Sequence, residues 1–257
     1  MFELFLAECR RSWIQFRRYS AEAIGGIIIT TSIFYGLFLS TRYIAGPTLE
    51  LGDRLDSIVI GYVLWTLVLF IMTDIAAGLQ YEAQTGTLEQ LFLSSFGATN
   101  VFLMRSLASV MLRLVLILTI LLIIMALTGS RLNFPPELLL PLATVLMGAY
   151  GIAFTMGSLA LLLKRVQQLL GIFQFALLFL LATPTETWVG PLQVLGQFLP
   201  MTPGAGLLRD LMARGESLDL TQLAIAGLNG AVYFAVGLLI FRMAEREAKR
   251  RGMLSGY

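Results

Sequence analysis

Six stretches of this chain run for about twenty residues with at most one charge each. That is the length a helix needs to cross a hydrocarbon layer of about 30 Å. They are Ala23–Ala45, Ser57–Leu79, Leu107–Thr128, Leu138–Leu163, Gln167–Thr183 and Gln222–Met243. Inside a bilayer no water reaches the backbone, so such runs close their hydrogen bonds within helices. The expected fold is an all-α polytopic membrane protein with six transmembrane helices. The fifth run is short and ends in Thr-Pro-Thr-Glu-Thr; the fourth is long and is expected to tilt. Composition agrees, with 57% of residues hydrophobic against about 45–50% in soluble domains.

Charge placement orients the spans. With the N-terminus in the cytoplasm, thirteen of the eighteen Lys and Arg fall on that side, and only Arg42, Arg54, Arg131, Arg209 and Arg214 on the other. The positive-inside bias sets both termini in the cytoplasm, as an even number of spans requires, in a multi-pass protein of the cell membrane. A net charge of +2 gives no pull towards nucleic acid. Histidine is absent and Cys9 is the single cysteine. This excludes the usual zinc sites, Ser-His-Asp triads and internal disulfides, and no metal site is expected. No cleavage site follows a short apolar core, so the first residues are not expected to be a removed signal. Residues 1–20 read as an amphipathic helix along the cytoplasmic interface. Phe2, Phe5, Leu6, Cys9, Trp13 and Phe16 recur at spacings of three and four, with Arg10, Arg11, Gln15, Arg17 and Arg18 on the other face.

Two connections carry more than a turn. Residues 80–98 hold "YEAQTGTLEQLFLS", Tyr81 to Ser94. Gly86 suits a left-handed helix stop, and Thr87 with Gln90 three residues on forms a capping-box pattern. The second span is therefore expected to run to about Thr85, with a short surface helix over Leu88–Phe96. The other connection, residues 186–215, is apolar in parts but broken by Pro191, Pro200 and Pro203. Short helices that re-enter the outer leaflet are expected there, because irregular backbone at that depth needs protein or water around it.

The hinge resembles the E-x-x-x-G-T-L-E-x-L signature of ABC (ATP-binding-cassette) type-2 exporter permeases. "GPLQVLGQFLPMTPGAGLLRDL", Gly190 to Leu211, is similar to the extracellular segment before that family's last span. The resemblance covers the whole chain, 1–257, as one permease domain. It implies a permease subunit that pairs with a second copy or a paralogue, a homodimer being the simplest case, and that binds nucleotide-binding ATPase subunits. It assigns Glu82, Gly86, Thr87, Leu88, Glu89 and Leu91 to the ATPase-coupling surface, and Pro191, Pro203, Leu208 and Arg209 to an extracellular gate. Family members often line their pathway with the second and fifth spans, which points here to Phe173, Gln174 and Phe179, beside Gln167 and Gln168; a helix facing lipid or a dimer mate fits these residues equally. The only lysines, Lys164 and Lys249, lie outside any G-x-x-x-x-G-K-[ST] motif. The ATPase is therefore expected on a separate polypeptide, which would hold ATP and Mg, with no cofactor on this chain.

Within the spans, Asp74 and Arg113 sit at similar depth on antiparallel neighbours; they either pair or each snorkel to headgroups. Gly148, Gly151, Ala153 and Gly157 in the fourth span, and Gly227, Gly230 and Ala231 in the sixth, allow close helix approach. An intramembrane enzyme and a non-transporting scaffold are the competing readings. The first lacks a nucleophile with a base, or paired carboxylates, inside a span. The substrate is not encoded legibly; a charge-poor path suits a lipid-like, amphipathic or polymeric cargo.

Overall fold

The computed structural model describes residues 2–45, 52–84, 98–162 and 167–250. Among them every regular element is helical. In chain order these are α1 (Phe2–Arg18), α2 (Ser20–Ala45), α3 (Gly52–Gln84), α4 (Ala98–Thr128), α5 (Leu139–Leu162), α6 (Gln167–Ala182), α7 (Pro191–Phe198), α8 (Thr202–Met212) and α9 (Leu220–Arg250). One-turn 3-10 helices precede α5 (Pro136–Leu138) and α7 (Thr185–Thr187). Among the described residues, five helices are long and apolar enough to cross a membrane: α2, α3, α4, α5 and α9. Helix α6 has 16 residues and reaches about 24 Å at 1.5 Å per residue, short of the hydrocarbon thickness.

Helix α3 forms the centre. Val59, Val68 and Met72 along it are fully buried, packed among α4, α5 and α6. The tightest seam joins α5 to α9, and glycine makes it possible. A Cβ on Gly151 would lie 2.2 Å from the Tyr233 carbonyl oxygen, and one on Gly237 2.1 Å from the Gly151 carbonyl oxygen. Without side chains there, the backbones touch directly, as small residues permit in membrane helices. Gly230 meets Thr144, Gly148 meets Met201, and Gly157 meets Ile75 and Leu79. Gly227 meets nothing within 4 Å, so the packing role expected of it is not filled, whereas Gly237, which the sequence reading missed, is essential to the seam. Gly61 makes the same close approach between α3 and α6, against the Leu181 carbonyl.

Helix α1 lies against α4, with Arg10, Arg11, Arg17 and Arg18 exposed and one acidic residue turned inward. Glu8 is buried against the protein, while Leu6, Trp13 and Ile14 are exposed. In a bilayer interface those exposed side chains reach acyl chains while the exposed arginines reach headgroups.

Candidate functional site

Two polar networks sit at opposite ends of the bundle, one beside α1 and one around α8. At the α1 end, Arg105 of α4 joins three helices. Its Nη1 donates to Glu82 Oε1 of α3 at 2.9 Å, and its Nε faces Glu8 Oε2 of α1 at 3.5 Å. Arg11 approaches the same Glu8 oxygen at 3.8 Å. The Arg105 guanidinium also lies over the Phe102 ring, 5.4 Å from its centroid. Glu8 and Glu82 are both buried. Glu82, the first residue of the hinge motif, is thus turned into its own chain and not towards solvent. Gly86, Thr87, Leu88, Glu89 and Leu91 lie outside the described residues.

About two turns deeper, the structure brings Asp74 and Arg113 together. Arg113 forms a two-pronged pair with Asp74, its Nε donating to Oδ2 at 2.6 Å and its Nη2 to Oδ1. Ser109 Oγ donates to the same carboxylate at 3.1 Å, and the Phe70 ring lies 5.0 Å from the guanidinium. A planar guanidinium and a carboxylate fit in this manner with defined geometry. The pair, Ser109 and Arg105 form the polar lining of a cavity of about 610 Å³ between α1, α2, α3 and α4.

At the α8 end, Arg209 is the largest fully buried side chain, 1% exposed. Its Nη1 donates to Glu186 Oε2 at 2.8 Å, its Nη2 to the Leu181 carbonyl near the end of α6, and its Nε to the Ser57 carbonyl in the second turn of α3 at 3.4 Å. Glu186 also accepts from Arg214 at 3.1 Å, and Arg214 pairs with Asp210. Burial lowers the Arg209 pKa, with Glu186 opposing it. Burial also raises that of the Asp210 carboxyl against the pull of Arg214. For Arg214 burial works against the charge, but Asp210 and Glu186 outweigh it and the pKa is raised. Leu208, beside Arg209, is buried; Pro203 opens α8 and Pro191 opens α7 on the exposed rim.

The turn between α7 and α8 depends on a residue that the sequence reading overlooked. Met201 has φ 64° in the left-handed region, with its side chain against Gly148. Such a backbone is unfavourable for a residue with a Cβ, and Asn229 of α9 holds it. Asn229 accepts from the Met201 amide at 3.2 Å and donates to the Gln197 and Leu199 carbonyls at 2.9 and 3.0 Å. Tyr233 adds a bond to the Phe198 carbonyl at 2.8 Å. An uncharged amide inside an apolar helix was the available cue.

Of the residues expected to line a pathway, Phe173 and Phe179 are exposed on α6, as are Ile172 and Phe175. Gln174 is half-buried, and its carbonyl accepts from Trp65 Nε1 of α3 at 2.8 Å. No His, Cys, Asp or Glu cluster suited to a metal occurs among the described residues. Over residues 3–213 the chain is similar to the family described as ABC-2 type transporter, a match that ends one residue past α8. No curated protein matches it.

Proposed function

Because the chain belongs to the ABC-2 type transporter family, we propose that it is the permease subunit of an exporter driven by a separate ATP-hydrolysing subunit. In this reading it works as a pair, a homodimer in the simplest case. It crosses the cell membrane six times, with α6 as the short fifth span, both termini and α1 in the cytoplasm, and α7–α8 on the outside. ATP and Mg are held by the partner subunit, and the short outer helices dip back into the leaflet.

The observation that supports this best is the Arg105 linkage. Glu82 lies two residues before the end of α3, where the chain leads into the Gly-Thr-Leu-Glu hinge. Arg105 ties that point to the start of α4 and, through Glu8, to α1. A displacement of the hinge by an ATPase is therefore passed to three helices at once. Glu186–Arg209 at the other end ties α8 to the segment following α6, which suits a gate that opens as a unit.

The test uses the full chain in detergent and in vesicles. It should recover an ATP-binding-cassette ATPase from its host membrane. Glu89→Lys should reduce that recovery and abolish transport while membrane insertion and dimer formation persist. Gly86→Val should also insert and dimerise, yet lose transport, since a β-branched residue resists the left-handed stop. Recovery of no such ATPase, or normal ATPase binding and substrate-stimulated hydrolysis in either variant, would overturn the reading.

A further inference from the structure

We propose that the wedge between α2, α3 and α4 is a binding site for one phospholipid of the leaflet on the α1 side, held by its phosphate. The proposal stands independently of the exporter reading, because it rests on the shape and polarity of this cavity alone.

The wedge has a structural cause. Towards the α8 end, α2 is pinned to α3: Tyr62 Oη donates to the Thr30 carbonyl at 2.8 Å, and the Phe34 and Tyr62 rings lie 4.9 Å apart. Towards the α1 end no such tie holds it. There Gly26 lines the cavity, and a Cβ on it would meet nothing within 4 Å. The resulting space of about 610 Å³ is within the range of sites for small ligands.

Its polar residues gather towards the α1 end, where Ser12 and Gln15 of α1 also line it, although Phe16, Ile75 and Phe102 stand among them; the lining towards mid-membrane is apolar. On α4, Arg105, Ser109 and Arg113 recur at spacings of four, hence on one face over about 12 Å, and Leu116 and Ile120 continue the track. On α2, Glu22 comes first and Gly26 and Ile27 follow; on α3, Asp74 gives way to Phe70. This gradient matches an amphiphile with its head at the α1 end and its tail towards mid-membrane. Depth agrees as well. Asp74 lies twenty residues past Arg54, the start of its span, which is about 30 Å along a helix and so at the far edge of the hydrocarbon.

The head is proposed to supply an acceptor for the N–H groups that the Asp74 pair leaves over. Arg113 gives its Nε and one Nη2 proton to Asp74, and a guanidinium has five such donors. The remainder of the fork has no acceptor among the described residues. A guanidinium fork at headgroup depth suits a phosphodiester. Glu22 at the rim leaves room for an ammonium beside it, which favours phosphatidylethanolamine over phosphatidylglycerol.

To test this, the full chain is placed in vesicles of phosphatidylethanolamine and phosphatidylglycerol. These carry a trace of phosphatidylethanolamine with a photoreactive diazirine in its acyl chain, and adducts are mapped by peptide mass spectrometry. Adducts on Leu116, Ile120 and Ile27 should exceed those on the exposed α9 residues Leu228, Val232 and Val236 several-fold. Gly26→Phe, which fills the open space, should bring the wedge down to the α9 level without changing α9 labelling; Ala23→Leu on the same wall serves if Gly26→Phe does not insert. A diazirine diacylglycerol, lacking the phosphate, should show no enrichment. Equal labelling of wedge and α9, indifference to both substitutions, or equal enrichment with diacylglycerol would each overturn the proposal.

Discussion

The two ends of the bundle hold charge in opposite ways. Around α8, Arg209 is 1% exposed and its guanidinium reaches a carboxylate and two backbone carbonyls of neighbouring helices, Ser57 of α3 and Leu181 of α6. Beside α1, the Arg105 side chain is 21% exposed, and its Nε and the Glu8 Oε2 it faces lack a hydrogen bond although both atoms are buried. The first network is closed; the second is ionic contact without full saturation. A closed network in a dry setting is costly to break, because any one loss strands a buried charge. An incompletely saturated one has alternatives at similar energy and can be shifted. The contrast continues in the packing. The α5–α9 seam is backbone on backbone, whereas most of α2 is exposed, with Ile24, Ile28, Ile29, Ile33 and Leu37 uncovered. The molecule is firm where α8, α5 and α9 meet and adjustable where α1, α2 and α4 meet.

This contrast predicts a graded series. Arg209→Ala should cost most, about 3–5 kcal/mol, by emptying a fully buried site and leaving the Leu181 and Ser57 carbonyls without that donor; a midpoint of thermal unfolding in detergent close to that of the unaltered protein would dissolve the contrast. Gly151→Val comes next, at about 1–3 kcal/mol, since its Cβ would collide with the Tyr233 backbone, which cannot move aside as a side chain would. Thermal unfolding should fall, and a disulfide between cysteines placed across α5 and α9 should form less readily. Arg105→Gln should cost less, about 1–3 kcal/mol, because Glu8 and Glu82 are buried but the amide still offers them a donor, yet reduce transport strongly. A loss of stability as large as that of Arg209→Ala would show that both ends are equally rigid. Smallest is the coupling between Asp74 and Arg113. A double-mutant cycle should give about 0.6 kcal/mol and no more than about 1.7, whereas strictly additive losses would mean no energetic link despite the geometry.

Much of the architecture was legible because membrane helices declare themselves locally. Apolar length alone located α2, α3, α4, α5 and α9, and the spacing of Phe and Trp among Arg located α1. The proline spacing placed α7 and α8 as short helices. What could not be read was which way α1 faces and how deeply α8 is buried. Both depend on partners far away in sequence: Glu8 waits for Arg105, and Arg209 for Ser57, 152 residues before it. Asp74 and Arg113 were accessible because their depths are fixed by counting along two adjacent antiparallel spans. Asn229 escaped notice because it is uncharged, and its partners are backbone atoms of a turn, which no side-chain pattern announces. Arg209 itself was visible only as one residue of a motif resemblance, not as the centre of a network.

The Asn229 bonds have a consequence for the order in which the protein is made. The α7–α8 turn with its left-handed Met201 is secured by a side chain in the last helix, synthesised after the turn it holds. While the chain is still emerging, Arg209 already has its acceptors, Ser57, Leu181 and Glu186, but the turn above it is held only from within, by Thr202 Oγ1 donating to the Leu199 carbonyl at 2.8 Å. The end around α8 is therefore completed only when α9 inserts, and a ribosome stalled before Asn229 carries a bundle whose far end is unlatched. Synthesis thus closes the molecule like a lid screwed on last.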